Sequence, residues 1–119
     1  MTAWMAGVLT ASSPVALDQL QSPEIAVLRT SGVFAQGESL QIKCACPNYY
    51  IGARFKLHKV GEATYMSSLE AEGEYSNVTF VVANITKGMA GYYTCTYQLL
   101  SGSRLYNSTM SDKAKVSVI

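Results

Sequence analysis

Two cysteines set in alternating apolar segments constrain the fold of this chain more than any other feature. Leu40, Ile42 and Cys44 alternate with more polar residues, which is the period-two pattern of a strand with one buried face. Tyr93 and Cys95 alternate in the same way further along the chain. Two such strands, in sheets packed about 10 Å apart, can bring their thiols together in the core. The pattern therefore predicts a two-sheet antiparallel sandwich.

Short alternations of the same kind recur along the chain, with glycine-containing turns between them. Their inward residues are Ile25, Val27 and Val33, then Phe55 and Leu57, then Val78, Phe80 and Val82, and finally Ala114, Val116 and Val118. We expect the first edge strand to break near residues 30–32, and residues 67–75 to form a surface loop or a ragged edge strand. Hydrophobic residues make up 49% of the 119 residues. The fold class is therefore an all-β sandwich with one core rather than a disordered chain.

Charge and motif content exclude several function classes. The net charge is +1 and no basic run is present, so we expect no nucleic-acid partner. No apolar stretch approaches the ~20 residues that cross a bilayer, so we expect no membrane insertion by this segment. Nucleophile-elbow, HExxH, P-loop and GxGxxG motifs are missing from the sequence. We therefore expect no enzyme, no catalytic residue and no cofactor.

Two clusters have the donor atoms of a metal site. Three sulfurs and an imidazole form the donor set of zinc, and the candidates are Cys44, Cys46, Cys95 and His58. A disulfide explains two of these thiols better, and the histidine has the outward parity of its strand. Closely spaced carboxylates that could bind calcium are those of Glu70, Glu72 and Glu74. A solvated charged loop is the commoner explanation, so we expect no metal.

The segment Gly91-x-Tyr93-x-Cys95, following Leu40-x-Ile42-x-Cys44, resembles an immunoglobulin-like domain, and the resemblance covers Gln21 to Ile119. The tryptophan expected on the third strand is missing. In its place the strand reads Phe55-x-Leu57-x-Lys59-x-Gly61, which is similar to the leukocyte receptor family. That family includes killer-cell Ig-like receptors, leukocyte Ig-like receptors, the Fc-alpha receptor and the platelet collagen receptor. The segment from Tyr106 to Asp112 resembles their Trp-Ser-x-x-Ser-Asp motif in a weakened form.

This resemblance implies one inter-sheet disulfide and a tyrosine corner. By parity both Cys44 and Cys46 could reach Cys95, and the Leu-x-Ile-x-Cys spacing favours Cys44. Tyr93 would fill the core with its ring and return its hydroxyl to the backbone near residues 87–88. Cys46 then remains an unpaired thiol. We expect it to be buried, and the alternative is a disulfide to another chain or domain.

Three of the four asparagines lie in N-x-[ST] sequons, and these are Asn77, Asn84 and Asn107. N-linked glycans at these sites agree with a core disulfide, because both require the oxidising secretory route. Asn77 has the outward parity of its strand. Asn84 has the inward parity and is accessible only if the strand has ended before it. We therefore expect an extracellular glycoprotein, either secreted or at the cell surface as part of a longer membrane protein.

The first eighteen residues differ from the rest of the chain. They are small and apolar, and they contain no Lys or Arg. A secretory signal usually has a basic start, so residues 1–18 are either a weak leader or a remnant unrelated to the domain. We place them outside the fold and assign residues 19–119 to a single Ig-like domain.

Aromatic residues in two loops are the candidates for ligand binding. Tyr49 and Tyr50 follow the first strand with a cysteine, and Arg104 and Tyr106 lie in the last hairpin. We assign both loops to strands of one sheet and expect them at the same end of the domain. Tyr and Arg are enriched in binding hot spots.

The function predicted from these features is protein recognition by an extracellular Ig-like domain of an immune-cell surface receptor. Its partners would be a protein ligand or neighbouring Ig domains. The alternative is a structural or spacer module of a multi-domain secreted glycoprotein or adhesion protein.

Overall fold

A computed structural model describes residues 19–47 and 49–119 and shows two β-sheets packed face to face, which confirms the predicted all-β sandwich. The strands of the described residues are β1 (Gln19–Leu20), β2 (Glu24–Val27), β3 (Val33–Phe34), β4 (Leu40–Ala45), β5 (Arg54–Lys59), β6 (Ser67–Glu70), β7 (Asn77–Val82), β8 (Gly91–Ser101), β9 (Arg104–Ser108) and β10 (Ala114–Val118). A 3-10 helix covers Lys87–Met89. The segment 1–18, expected to stand apart from the fold, lies outside the described residues. No helix in the described part of the chain has the length and apolarity to cross a membrane.

Strand β8 is the centre of the larger sheet. Strand β5 pairs with one of its edges, and β9 and β10 share the other. Strand β6 pairs with β5, so the acidic stretch begins as an edge strand. The smaller sheet has the antiparallel order β2-β4-β7.

The chain crosses between the sheets where the first edge strand was expected to break. Strand β2 pairs with β4 in the smaller sheet, whereas β3 pairs in parallel with β10 in the larger one. Gly32 lies between them with a φ of +67°, and a Cβ at this position would approach the Lys115 carbonyl oxygen to 3.0 Å. A glycine is needed here because it tolerates both the left-handed backbone and the close contact.

Most of the inward residues of the alternating segments form the core between the sheets. Val33 is the exception: it is exposed, and the neighbouring Phe34 is the buried residue of β3. The largest buried side chains of the core include Leu40, Ile42, Phe55, Leu57, Phe80, Tyr93 and Tyr97. A disulfide joins Cys44 of β4 to Cys95 of β8, with their Cα atoms 6.6 Å apart, so the predicted bridge links the two sheets. The Phe55 ring lies 5.7 Å from the Tyr97 ring, measured between centroids, on the strand that lacks a tryptophan.

The Tyr93 hydroxyl donates a hydrogen bond to the Met89 carbonyl, one residue beyond the predicted acceptors at 87–88. The 3-10 helix explains the difference. The Lys87 carbonyl already accepts the Ala90 N–H, and the Gly88 carbonyl accepts a hydrogen bond from the Lys59 ammonium at 3.0 Å. The last carbonyl of the turn is therefore the one that the tyrosine satisfies.

Two serine hydroxyls complete the edge of β8 where β9 ends and β10 has not yet begun. The Ser108 Oγ accepts the Tyr97 N–H and the Ser111 Oγ accepts the Cys95 N–H, both at 2.9 Å. Each hydroxyl donates in turn to the carbonyl of the next residue. The N–H groups of a buried strand are thus satisfied without a regular partner strand, which such groups require in a core. These serines belong to the segment from Tyr106 to Asp112 that resembles the receptor motif.

Candidate ligand-binding tip

Two segments meet at one end of the sandwich, which we call the tip. They are the loop of residues 46–53 and the distal part of the β8–β9 hairpin, residues 99–106. The assignment of both to strands of one sheet was wrong, because the loop joins β4 of the smaller sheet to β5 of the larger. They nevertheless reach the same end, since Arg54 at the start of β5 pairs with Gln98 near the end of β8.

The hairpin is longer and more regular than the predicted loop. Strand β8 continues to Ser101 and β9 starts at Arg104, so only two residues turn the chain. Arg104 and Tyr106 therefore lie on a strand, on one face of the hairpin, with the guanidinium carbon 5.6 Å from the centre of the phenol ring. Leu100 and Leu105 pair on the opposite face and are 71% and 52% exposed.

Aromatic and aliphatic side chains of the loop are also open to solvent. Tyr49 is 80% exposed and Ile51 is 61% exposed, and Tyr50 is exposed to a smaller extent, at 38%. The backbone of Tyr49 has a φ of +58°, a left-handed conformation that is uncommon for a bulky residue. Such strain persists only where the surroundings hold it, and it is concentrated at binding sites.

Beneath the loop lie a free thiol and an unsatisfied hydroxyl. Cys46 is an unpaired, buried cysteine, and its N–H donates to the Ser76 carbonyl at 2.9 Å. Burial raises the pKa of this thiol to about 11, so it stays protonated and behaves as a small apolar side chain. The Tyr97 hydroxyl has no hydrogen-bond partner among the described residues. Its pKa is raised by burial first, and then by Cys46 and Tyr50, which places these groups beside it.

Sequence patterns alone did not reveal two features of the tip. Leu100 and Leu105 are visible in the sequence as part of the last hairpin, but their pairing on one exposed face depends on the strand register. The unsatisfied hydroxyl of Tyr97 has no counterpart in the sequence, where this residue looks like any inward tyrosine.

The arrangement offers contact surface rather than reactive groups. In the ranges 19–47 and 49–119 no cluster of three or more His, Cys, Asp or Glu side chains could hold a metal ion. His58 faces Thr96, with its Nε2 3.0 Å from the hydroxyl oxygen, and its pKa is lowered by burial and by Lys56. Glu70 forms an ion pair with Arg54 at 2.9 Å. The tip therefore provides aromatic, aliphatic and cationic groups suited to binding another surface.

The three sequons lie in different parts of the sandwich. Asn77 is the first residue of β7 and is partly buried. Asn84 follows the end of that strand, is exposed, and has a φ of +56°. Asn107 is exposed on β9, where its Oδ1 accepts a hydrogen bond from the Gln98 amide nitrogen at 2.7 Å. Glycan attachment at these positions stays a prediction.

Comparisons with known proteins agree with this architecture. The human OSCAR ligand-binding domain superposes with a TM-score of 0.66 at 19% identity, covering 83% of this chain and 48% of that one. The crystal structure of CHIR-AB1 superposes with a TM-score of 0.70 at 25% identity, covering 84% of this chain and 100% of that one. Both are leukocyte receptor Ig domains. The chain thus spans about half the length of the OSCAR structure that it matches.

A search of curated proteins found no match. A family model, described as the Ig domain in C19orf38 (HIDE1), matches residues 33–118, which is most of the chain and nearly all of the sandwich. The chain therefore belongs to this family of immunoglobulin domains, with the leukocyte-receptor type of sandwich that its sequence resembles.

Proposed function

We propose that this chain is an extracellular, non-enzymatic ligand-binding module of an immune-cell surface receptor, and that it recognises a protein through the tip. The observation that carries the proposal is the concentration of exposed side chains at one end of a well-packed sandwich. Tyr49, Ile51 and Leu100 are each more than 60% exposed there. Such surfaces, when apolar residues cluster on them, are typical of interaction sites.

The chemistry of the tip supports protein recognition in particular. Tyrosine supplies a large contact area with a polar end, and arginine supplies a planar set of donors. Arg104 and Tyr106 provide the donors and the contact area side by side on a rigid strand. Tyr49 and Tyr50 provide further aromatic contact area on the neighbouring loop. A rigid hairpin loses little conformational entropy when it binds.

Relatives of known structure lend support at the level of the fold. One of the two matched structures is described as a ligand-binding domain, and both are leukocyte receptor domains. The core disulfide agrees with extracellular placement, because such bonds persist in oxidising compartments.

The experiment is a binding screen with a matched pair of variants. The domain, multimerised on a fluorescent carrier, is applied to leukocytes, stromal cells, purified immunoglobulins and matrix proteins. The test variant replaces Tyr49, Tyr50, Arg104 and Tyr106 with alanine. The control is Tyr92→Ala, which removes an exposed tyrosine from the opposite end of β8.

We expect the test variant to lose at least about 2 kcal/mol of binding, roughly 30-fold in affinity, while the control binds normally. Unchanged binding of a verified ligand by the quadruple variant would exclude the tip as the site. Circular dichroism and thermal unfolding of both variants establish that they remain folded.

A spacer module is the second candidate. This chain covers about half of the OSCAR structure, so similar domains occur within longer chains. A spacer would bind nothing in the screen at any carrier density. The coding sequence on either side of the domain separates the candidates further, since a membrane span with a cytoplasmic tyrosine motif supports a receptor.

A further inference from the structure

We infer that the Asn107 side chain carries an N-linked glycan whose first sugar lies in a groove on the outer face of the larger sheet and is held there by the protein. The groove, called the outer groove below, is lined by Lys56, His58, Tyr65, Thr96, Gln98 and Asn107 among others. The inference rests on the extracellular placement proposed above, but it does not depend on the tip being the ligand-binding site.

Strand register assembles the outer groove. Lys56 pairs with Thr96, and Arg54 pairs with Gln98, which pairs in turn with Asn107 across β8. Outward side chains of three neighbouring strands therefore form its floor. Tyr65 forms part of the wall, with the Lys56 ammonium 4.8 Å from its ring centroid. The groove is open to solvent and has a volume of about 430 Å³.

The asparagine that would carry the glycan is itself part of the lining. Asn107-Ser108-Thr109 is a sequon, and Asn107 is exposed. The Gln98 amide donates to its Oδ1 at 2.7 Å, which orients the side chain and leaves its Nδ2 outside that hydrogen bond. Nδ2 is the atom that N-glycosylation modifies. A sugar attached to Nδ2 is therefore already next to the groove.

The covalent step uses a lipid-linked oligosaccharide diphosphate as the donor, which the secretory pathway supplies. Asn107 Nδ2 forms a bond to C1 of the first N-acetylglucosamine as the bond from C1 to the diphosphate oxygen breaks. Nδ2 loses one proton, and the lipid diphosphate leaves with the electron pair. No oxidation or reduction takes place.

The lining has the chemistry that a sugar requires. Carbohydrates present many hydroxyl groups, and the groove offers the Lys56 ammonium, the Gln98 amide and the Thr96 hydroxyl as partners. The Tyr65 ring offers an apolar face against which the C–H side of a pyranose can pack. Few carboxylates are available to compete for these donors, because Glu70, the acidic partner at this face, is paired with Arg54.

The other two sequons do not combine an asparagine with a groove of hydrogen-bond donors and an aromatic ring. The groove that Asn77 lines also contains Glu70 and Glu72, so it presents carboxylates rather than a cation. Asn84 adopts a left-handed turn that asparagine tolerates better than most residues, which gives it a backbone role. Thr86→Ala therefore supplies a matched control, since it removes the sequon of Asn84, which lies outside the outer groove, and keeps the asparagine itself.

The experiment compares glycoforms of the full chain secreted from mammalian cells. Glycopeptide mass spectrometry measures occupancy at each sequon. Hydroxyl-radical footprinting then measures the oxidation rate of Tyr65, with the exposed Tyr75 as an internal reference. The test variant is Thr109→Ala, which removes the sequon but keeps Asn107 and Gln98. Thr109→Ser keeps the sequon, and Thr86→Ala removes the sequon of Asn84.

We expect Asn107 to be occupied and Tyr65 to be protected several-fold in the wild type, Thr109→Ser and Thr86→Ala. Thr109→Ala should lose that protection, and trimming the glycan to a single N-acetylglucosamine should keep most of it.

Equal oxidation of Tyr65 in Thr109→Ala and Thr109→Ser would overturn the inference. Protection of Tyr65 that appears only when free glycans or another protein are added would overturn it as well. An empty Asn107 beside an occupied Asn77 or Asn84 overturns it while leaving the extracellular placement intact. If all three sequons are empty in the secreted chain, the inference fails, whereas the binding screen still tests the proposed function.

Discussion

The same two strands build a satisfied centre and an unsatisfied end. In the centre Cys44 of β4 is bonded to Cys95 of β8, and the hydroxyl of the buried Tyr93 has a carbonyl partner. Two residues beyond each cysteine of the disulfide, on the same inward face, Cys46 is a free thiol just past the end of β4, and the Tyr97 hydroxyl lacks a partner among the described residues. The two cysteines are alike in residue type and burial, as are the two tyrosines, and the members of each pair differ in their position along the sandwich.

This difference indicates that the stabilising contacts of the domain and its proposed binding surface are separated along the strands. The polar groups named above are satisfied in the centre, whereas the Tyr97 hydroxyl, which lies beside Cys46 and Tyr50 at the tip, has no partner among the described residues. The loop from β4 to β5 also contains Tyr49, which has a left-handed backbone and is the most exposed aromatic residue among the described residues. Binding residues are usually carried in this way, on a loop that a rigid scaffold positions.

The largest change in stability should separate the disulfide-bonded cysteines from the free one. Cys95→Ala opens the only bridge between the described sheets and should lower the free energy of unfolding by about 4 kcal/mol, because the unfolded chain regains the entropy of a loop closed over 51 positions. Cys46→Ala removes a small buried side chain and should cost roughly 1 kcal/mol. Equilibrium denaturation in urea measures both. Equal losses in the two variants would contradict the separation of centre and end.

The serine that completes the edge of β8 should give the next largest effect. Ser111→Ala leaves the buried Cys95 N–H without its acceptor, which should cost about 2 kcal/mol. Ser103→Ala, in the exposed turn of the hairpin, should change stability by less than about 0.5 kcal/mol. Thermal unfolding of the two variants makes the comparison, and a Ser111→Ala midpoint equal to that of Ser103→Ala would show that water replaces the hydroxyl.

A pair of tyrosine variants tests the matched hydroxyl groups directly. Tyr93→Phe removes the donor to the Met89 carbonyl and should cost about 1 kcal/mol. Tyr97→Phe removes a hydroxyl that lacks a partner among the described residues, so it should be neutral or slightly stabilising. Urea denaturation of the pair gives the difference. A larger loss for Tyr97→Phe would mean that this hydroxyl is bonded in solution, for example to water at the tip.

Much of the fold follows from the sequence because period-two alternation reports directly on burial. Leu40, Ile42 and Cys44 are buried as their parity predicts, and so are Phe55 and Leu57. The break after β2 was also readable, since Gly32 marks a backbone position that other residues do not tolerate. These signals are local, because the residues of each strand are sufficient to predict which side chains are buried.

Relations between segments were less predictable. The loop of residues 46–53 was assigned within one sheet although it crosses between two, because alternation gives the face of a strand but not its sheet. The acceptor of Tyr93 shifted to Met89, because the 3-10 helix that occupies the neighbouring carbonyls has no strong signal in a segment of three residues. The tip was also only partly predictable. Arg104 and Tyr106 were predicted as binding residues from their residue types, but their position on one face depends on the hairpin register.

The smallest effect concerns pH and isolates Cys46. Burial raises the pKa of its thiol from 9.0 to about 11, so the folded state holds this proton more tightly than the unfolded state. The resulting stability is fully present below pH 9 and is lost as the pH rises towards 11. Urea denaturation at intervals from pH 7 to 10 should therefore show a decline above pH 9 that Cys46→Ala lacks. The pKa values of Tyr93 and Tyr97 are raised as well, but from 10.0, so their contributions are lost only at higher pH. Identical pH profiles for the wild type and Cys46→Ala would contradict the prediction, because they would show that the thiol titrates in the folded domain as it does in the unfolded chain.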